Sequence, residues 1–170
     1  SLLTLFILNG IGILFSQPFT YIYERTFGLV SDVSLLELSD TNSSLLRQLS
    51  EKAPGTFQHS MQVANLAEAA AAEIGANTLL VRVGALYHDI GKMQNPLYFI
   101  ENQKTSLNPH DQLTPLQSAK VIIKHVADGI ELARKHKLPE RLIDFIRTHH
   151  GRSLTYYFYR KELDTNPNAK

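Results

Sequence analysis

The chain has 170 residues, of which 44% are hydrophobic, 19% charged and 9% aromatic, a balance that excludes intrinsic disorder and bounds the chain at one compact domain. It contains no cysteine, which excludes a disulfide scaffold, zinc ribbons, iron–sulfur clusters and thiol catalysis. With 17 Lys and Arg against 16 Asp and Glu, the net charge is +1, so there is no strongly basic footprint and no DNA or RNA polymer is expected as a partner.

The first segment, 1–23, carries no charge, and Leu2, Leu3, Leu5, Phe6, Ile7, Leu8, Ile11, Ile13, Leu14 and Phe15 make it densely apolar. A bilayer-spanning helix needs roughly 20 residues, and the densest part, 2–15, is shorter than that. Phe19, Tyr21 and Tyr23 follow where an aromatic belt would lie, and Arg25 is the first positive charge. No basic residue precedes the run and no small-residue cleavage site follows it, so a signal peptide fits poorly. Two readings stand at this point. One is the end of a transmembrane helix whose upstream part is missing; the other is a buried helix of a soluble protein. A start without Met is expected of a fragment and favours the first.

Ser16, Gln17 and Pro18 are expected to end the apolar run, and 24–55 reads as a connector with short helical pieces. Thr41-Asn42-Ser43-Ser44 forms a cap before a helix over 45–51. After the break at Ala53-Pro54-Gly55, Thr56 is placed to cap a helix running to about Ile74, with Gly75 as its stop. Asn77 caps the next helix, 78–90, which Gly91 closes. Pro96, Asn102, Asn108 and Pro109 make 93–113 mostly loop. Thr114-Pro115 opens a helix to about His136 in cap-then-Pro order. Pro139 starts another that ends at His150-Gly151, a last helix covers 153–163, and the polar tail 164–170 is expected to fray. No segment alternates with period two, so no strand is expected and the fold class is all-α around one core.

Seven histidines are unevenly placed on this pattern. His59 lies in the first turn of its helix, with Val63 and Leu66 on the same face. His88 shares a face with Val81, Gly84 and Ala85, and Asp89 adjoins it. His125 shares one with Ser118, Val121, Ile122 and Gly129, while His149 and His150 end the helix of Leu142, Ile143, Phe145 and Ile146. A single histidine on an apolar helix face is usually a hydrogen-bonded core residue. His110, in a loop, and His136, among Arg134, Lys135 and Lys137, stay with that reading. Five such histidines and an aspartate in one small helical domain point instead to metal ligation, because neutral imidazole and carboxylate together suit divalent ions.

The order His59, His88-Asp89, His125, His149-His150 resembles that of the HD-domain metal phosphohydrolases, with "ALYHDIGK" at 85–92 as the most specific stretch. "LLELSDTN", "APGTFQHSMQVANLAEAAAAEIGAN" and "RTHHGRSL" are similar to the seven-transmembrane-receptor HD family, whose characterised members are cyclic-di-AMP phosphodiesterases. The resemblance covers about 18–163. It implies a compact HD-domain helical bundle over 56–163, truncated at its C-terminus, with an N-terminal apolar, membrane-proximal helix. It also implies a two-metal site, with His59, His88 and Asp89 on one ion, His125, His149 and His150 on the other, and Asp89 bridging both. Iron or manganese is the expected metal, since the ligands are nitrogen and carboxylate without thiolate. The family takes a further Asp ligand from a later helix that this chain does not reach. Asp164 lacks the family context, so the first ion is expected to be under-ligated and this fragment of the enzyme weakly active or inactive.

The activity implied is hydrolysis of cyclic-di-AMP to linear pApA by a hydroxide bridging two ions, at a bacterial cell membrane with the HD domain in the cytoplasm. Asp89 and Lys92 are the expected catalytic residues; Lys92, His110 and Arg152 are candidates for substrate contact, His110 also as proton donor to the leaving oxygen. Tyr87, Tyr98, Phe99 and the cluster Tyr156-Tyr157-Phe158-Tyr159 are candidates for stacking on a base. Three alternatives are carried. A cyclic-di-GMP enzyme is disfavoured because "HHGRSLTYYF" stands where that class has Gly-Tyr-Pro. The others are a metal-stabilised nucleotide sensor or interaction module, and a di-iron HD oxygenase.

Overall fold

The computed structural model describes residues 1–104 and 107–166. Eight α-helices and four short 3-10 turns form its regular structure, and no strand occurs among the described residues. This is the all-α class that the missing period-two pattern implied.

Helix α1, Leu2–Phe27, begins with Ser1 accepting the Thr4 N–H and ends where Gly28 turns left-handed at φ 64°. It continues through Pro18, where a break was expected. A proline removes one intrahelical N–H, and the neighbouring turns carry the helix across. At 1.5 Å per residue its 26 residues span about 39 Å. The stretch Leu2–Glu24 is long and apolar enough to cross a membrane, and none of its most apolar part is buried by the rest of the chain. The buried-helix reading therefore does not hold within this structure.

The following helices, α2 (Asp32–Ser39) and α3 (Ser44–Lys52), pack as part of the core. Leu35, Leu45, Leu46 and Leu49 are buried with Val83, Leu86, Tyr87 and Ile90. Tyr87 O–H donates to the Leu38 carbonyl at 3.0 Å and lies 3.2 Å from Ser43 Oγ. Its buried ring is core, which removes it from the residues that can stack on a base.

Helix α4, Pro54–Glu73, starts two residues before the expected cap, with Pro54 in its first turn. Thr56 is buried, and its N–H is satisfied from far along the chain by Asn102 Oδ1 at 3.1 Å. Helix α5, Thr78–Tyr87, is capped by Asn77 accepting from Leu80 N–H at 2.8 Å. It stops before 90, and the chain tightens into a 3-10 turn over Ile90–Gln94. Gly91 is thus no helix stop. It lies under α6, where a Cβ would overlap the His125 carbonyl oxygen. Further 3-10 turns at Pro96–Tyr98, Ile100–Asn102 and Pro109–Gln112 organise the expected loop, of which 105–106 lie outside the described residues.

Helix α6, Pro115–Lys135, opens with a reciprocal capping box between Thr114 and Gln117. Helix α7, Glu140–Thr148, carries Leu142, Ile143 and Ile146 into the core. Helix α8, Tyr156–Thr165, starts and ends later than expected, so the tail begins only after Thr165 and its residues 167–170 lie outside the described residues. Helices α4 to α7, with the turn after α5, direct the histidines to one place.

Candidate metal centre

Asp89 is the hub. It follows the end of α5 and is 2% exposed. Its Oδ2 lies 3.1 Å from His88 Nε2. Its Oδ1 lies 3.3 Å from His125 Nε2, on α6, and 3.4 Å from His149 Nε2, at the end of α7. His125 Nε2 is in turn 3.3 Å from His149 Nε2 and 3.2 Å from His150 Nε2. The ring of His59, on α4, stands 6.0 Å from that of His88.

Three of these rings are oriented by the same local device. Nδ1 of His88 faces the Ala85 carbonyl at 2.7 Å, Nδ1 of His149 faces Ile146 at 2.9 Å, and Nδ1 of His125 faces the Ile122 carbonyl. A ring nitrogen facing a carbonyl must carry the proton, so in the neutral ring Nε2 presents a lone pair. The lone pairs of His125 and His149 then converge without a proton between them, His150 Nε2 lies beside that of His125, and Asp89 Oδ1 is buried with no hydrogen bond to satisfy it. Neutral rings so placed repel one another. A cation among them turns each repulsion into ligation.

The donor atoms of Asp89, His125, His149 and His150 lie within 4.8 Å of one another, and so do those of His59, His88 and Asp89. The two groups share Asp89. Nitrogen and carboxylate donors without sulfur fit divalent ions of intermediate hardness. Burial resists a charge on Asp89, but hydrogen bonds from His125, His149 and His88, when those rings carry a proton on Nε2, more than reverse this and hold its carboxyl well below the usual range. Any proton in the cluster therefore rests on an imidazole. Burial, reinforced by the neighbouring His149 and His125, pushes His150 down to about 4, which keeps it neutral and able to ligate at neutral pH.

Lys92 closes one side of the cluster. Its ammonium is 2.8 Å from Asp89 Oδ2 and 2.9 Å from Glu101 Oε1, and lies 4.9 Å from the centre of the Phe99 ring. Burial alone would lower its pKa; Asp89 and Glu101 raise it instead. Glu101 was not singled out from the sequence. It is one carboxylate in a Pro- and Asn-rich loop, without periodicity or motif to mark it.

His110 lies apart from the cation ligands. It is 8% exposed, its Nε2–H donates to the Tyr98 carbonyl at 3.0 Å, and its ring packs on Tyr98 and Phe158. With Tyr98, Phe99, Glu101, Tyr157 and Phe158 it lines a cavity of about 400 Å³. Of the aromatic candidates, these four therefore face a cleft; Tyr156 is exposed and Tyr159 lines a neighbouring cavity. Phe99 meets the His125 ring edge-on at 5.5 Å, which joins the cleft to the histidine cluster. Arg152 is exposed in the turn after α7. His59, expected on an apolar face with Leu66, is itself exposed, and Leu66 is 74% exposed. That face of α4 borders solvent, and His59 reaches the cluster from its rim.

A bundle of helices that gathers histidines around one buried aspartate defines a class. Residues 56–170 match the family model "HD domain", and the chain belongs to that family. It is 52% identical over 149 residues to the cyclic-di-AMP phosphodiesterase PgpH of Listeria monocytogenes serotype 1/2a (strain 10403S), a match covering 88% of this chain and 21% of that protein. It is 51% identical over 139 residues to the Bacillus subtilis (strain 168) protein of the same name, covering 82% of this chain and 20% of that one. The chain thus spans about a fifth of the length of these curated relatives. Among solved structures it is similar to the L. monocytogenes PgpH HD domain in complex with cyclic-di-AMP, with a TM-score of 0.74 and 53% identity over 77% of this chain and 61% of that one.

Proposed function

We propose that this chain carries a metal-dependent phosphodiesterase that hydrolyses a cyclic dinucleotide, cyclic-di-AMP to linear pApA. The observation that carries the reading is the convergence of the His125 and His149 Nε2 atoms on the unsatisfied Oδ1 of Asp89, with His150 Nε2 beside that of His125. Cyclic-di-AMP is taken from the relatives' names and from the ligand of the similar solved structure.

His59, His88 and Asp89 would hold one divalent ion and His125, His149 and His150 the other, with Asp89 common to both; iron or manganese is proposed. When bound, such ions supply a nucleophilic hydroxide at neutral pH and neutralise charge at phosphorus. The net reaction adds one water across a P–O3′ bond, leaving a 5′-phosphate and a 3′-hydroxyl. Lys92 offers its ammonium to a phosphate oxygen at the edge of the cleft. Tyr98, Phe99, Tyr157 and Phe158 offer ring faces to a base. His110 is buried in that wall and orients Tyr98, which fits a role in shaping the cleft better than proton donation. Arg152 remains a candidate for a second phosphate contact. Helix α1 is proposed to lie in a bacterial membrane, with the HD domain on the cytoplasmic side.

The test is incubation of the chain, extended to include the helix from which the family takes its further Asp ligand, with cyclic-di-AMP and cyclic-di-GMP and with manganese or anaerobic ferrous iron, followed by chromatography of the products. Linear pApA formed by the wild type and abolished in Asp89→Ala supports the reading. A folded, metal-loaded protein that turns over neither nucleotide sinks it. Tight nucleotide binding without turnover would then favour a sensor, and dioxygen consumption an oxygenase.

A further inference from the structure

Lys92 sits between two carboxylates, and only one of them belongs to the cation cluster. The Asp89 oxygen it contacts at 2.8 Å is the same Oδ2 that faces His88 Nε2 at 3.1 Å. The ammonium and any cation held by His59 and His88 therefore draw on one oxygen. Like charges so close repel strongly in a buried site. A lysine with no other counter-ion would compete with the cation for Asp89.

Glu101 is held where such a second counter-ion is needed. The Thr56 hydroxyl donates to Glu101 Oε1 at 3.0 Å, the atom that Lys92 also contacts. Asn102 then grips Thr56 twice, accepting its N–H at 3.1 Å and donating to its hydroxyl at 2.8 Å. Gly55 lets the chain come this close, because a Cβ there would overlap the Glu101 carbonyl oxygen. Helix α4, which also carries His59, thereby fixes both the backbone and the carboxylate of Glu101. A neutral amide at 101 could also accept the Thr56 hydrogen bond, though more weakly than a carboxylate. Packing thus accounts for the shape of this side chain and leaves its charge to be explained by Lys92.

We propose that Glu101 is a positioning residue: it anchors the Lys92 ammonium on the cleft wall and so keeps it from displacing the cation at His59, His88 and Asp89. The proposal rests on the cation reading of the cluster and is independent of which nucleotide is cleaved. With Asp89 engaged by a cation, Lys92 keeps Glu101 as counter-ion and the Phe99 face as support, beside the cavity where a phosphate would enter.

The experiment is a manganese titration of the full chain in detergent, read by electron paramagnetic resonance of free Mn(II), for wild type, Glu101→Gln, Lys92→Gln and the double variant. His59→Gln identifies which manganese equivalent depends on the first ligand group. Glu101→Gln is expected to weaken that equivalent about tenfold, in the range for residues that orient metal ligands, and to leave the other within about twofold. In the Lys92→Gln background the same substitution is expected to change affinity less than about twofold, because no ammonium is left to intrude. Glu101→Asp, which keeps the charge, is expected to hold more affinity than Glu101→Gln and serves if the latter folds poorly. An equal loss in both backgrounds marks a merely structural Glu101 and overturns the proposal. Undiminished affinity in Glu101→Gln, or no His59-dependent equivalent in the wild type, overturns it too. If the cycle gives the expected result while neither nucleotide is cleaved, the phosphodiesterase reading fails and this one stands.

Discussion

Oδ1 of Asp89 lies 3.3 Å from Nε2 of His125, buried and without a hydrogen bond of its own. An unsatisfied carboxylate oxygen against an imidazole lone pair is costly in a protein interior. A bound cation relieves that cost, so metal affinity must appear as fold stability. At a free metal concentration 100 times the dissociation constant, linkage contributes about 2.7 kcal/mol, or a rise in Tm of roughly 5–10 °C for a domain of this size. Differential scanning fluorimetry with and without manganese, reversed by a chelator, measures it. Asp89→Asn keeps the shape and removes the charge; it should lose most of the metal-dependent rise. A rise unaltered in that variant would mean the cation binds elsewhere.

Gly91 and His125 set a second expectation. A Cβ on Gly91 would overlap the His125 carbonyl, a backbone atom of α6 that cannot swing aside as a side chain can. Gly91→Ala must therefore push α6 away from the turn that carries Asp89. Overpacking costs about 1–3 kcal/mol, and the upper end is expected here. The same shift moves His125, so metal affinity should fall along with Tm. Isothermal titration of manganese into the refolded variant reads the second effect separately. Loss of stability with affinity intact would show that the helix yields without carrying the ligand away.

Tyr87 tests the boundary between core and cleft. Its hydroxyl bonds to the Leu38 carbonyl and lies beside Ser43, and its ring is buried among the leucines of α2 and α3. Tyr87→Phe should cost about 1 kcal/mol of stability for the lost hydrogen bond. Its KM for a cyclic dinucleotide should not change. Tyr98→Ala, on the cavity wall, should raise KM about 5- to 100-fold if its ring stacks on a base, which corresponds to roughly 1–3 kcal/mol. Steady-state kinetics on the two variants side by side decide which aromatic residues face substrate.

The sequence makes some of this legible and hides the rest for a physical reason. Helix caps are local chemistry, so Asn77 and Thr114 before Pro115 could be read directly from adjacent residues. The histidines recur on helical faces, and the stretch from His88 to Lys92 is compact enough to be seen as a unit. Glu101 and Asn102 were not visible, because their partner Thr56 lies 45 and 46 residues away and nothing local marks the pairing. Thr56 itself looked like a cap by its neighbours, yet its hydroxyl is committed to a distant carboxylate. The face of His59 differs for a similar reason: Val63 and Leu66 imply a buried stripe in the sequence, while in the fold Leu66 is exposed.

The Lys92–Glu101 pair gives a pH dependence with a definite sign. Burial would raise the Glu101 carboxyl, but Lys92 and the Thr56 hydroxyl outweigh it and hold the group below its ordinary value of 4.5. Above that value the carboxyl is ionised in both folded and unfolded chains, and the pair contributes its full stability. As the pH falls below 4.5, the unfolded chain takes up the proton first, so folding loses stability until the folded carboxyl is protonated as well. Glu101→Gln lacks this component at every pH. The Tm difference between wild type and Glu101→Gln, measured in chelator to exclude metal effects, should be largest and flat above about pH 5, where both states are ionised. It should shrink steadily on acidification below that point. A difference that stays constant down to about pH 3, below the ordinary carboxylate range, would show that the pair contributes through packing alone. A difference that grows on acidification would reverse the sign and mean that the folded state favours the protonated acid.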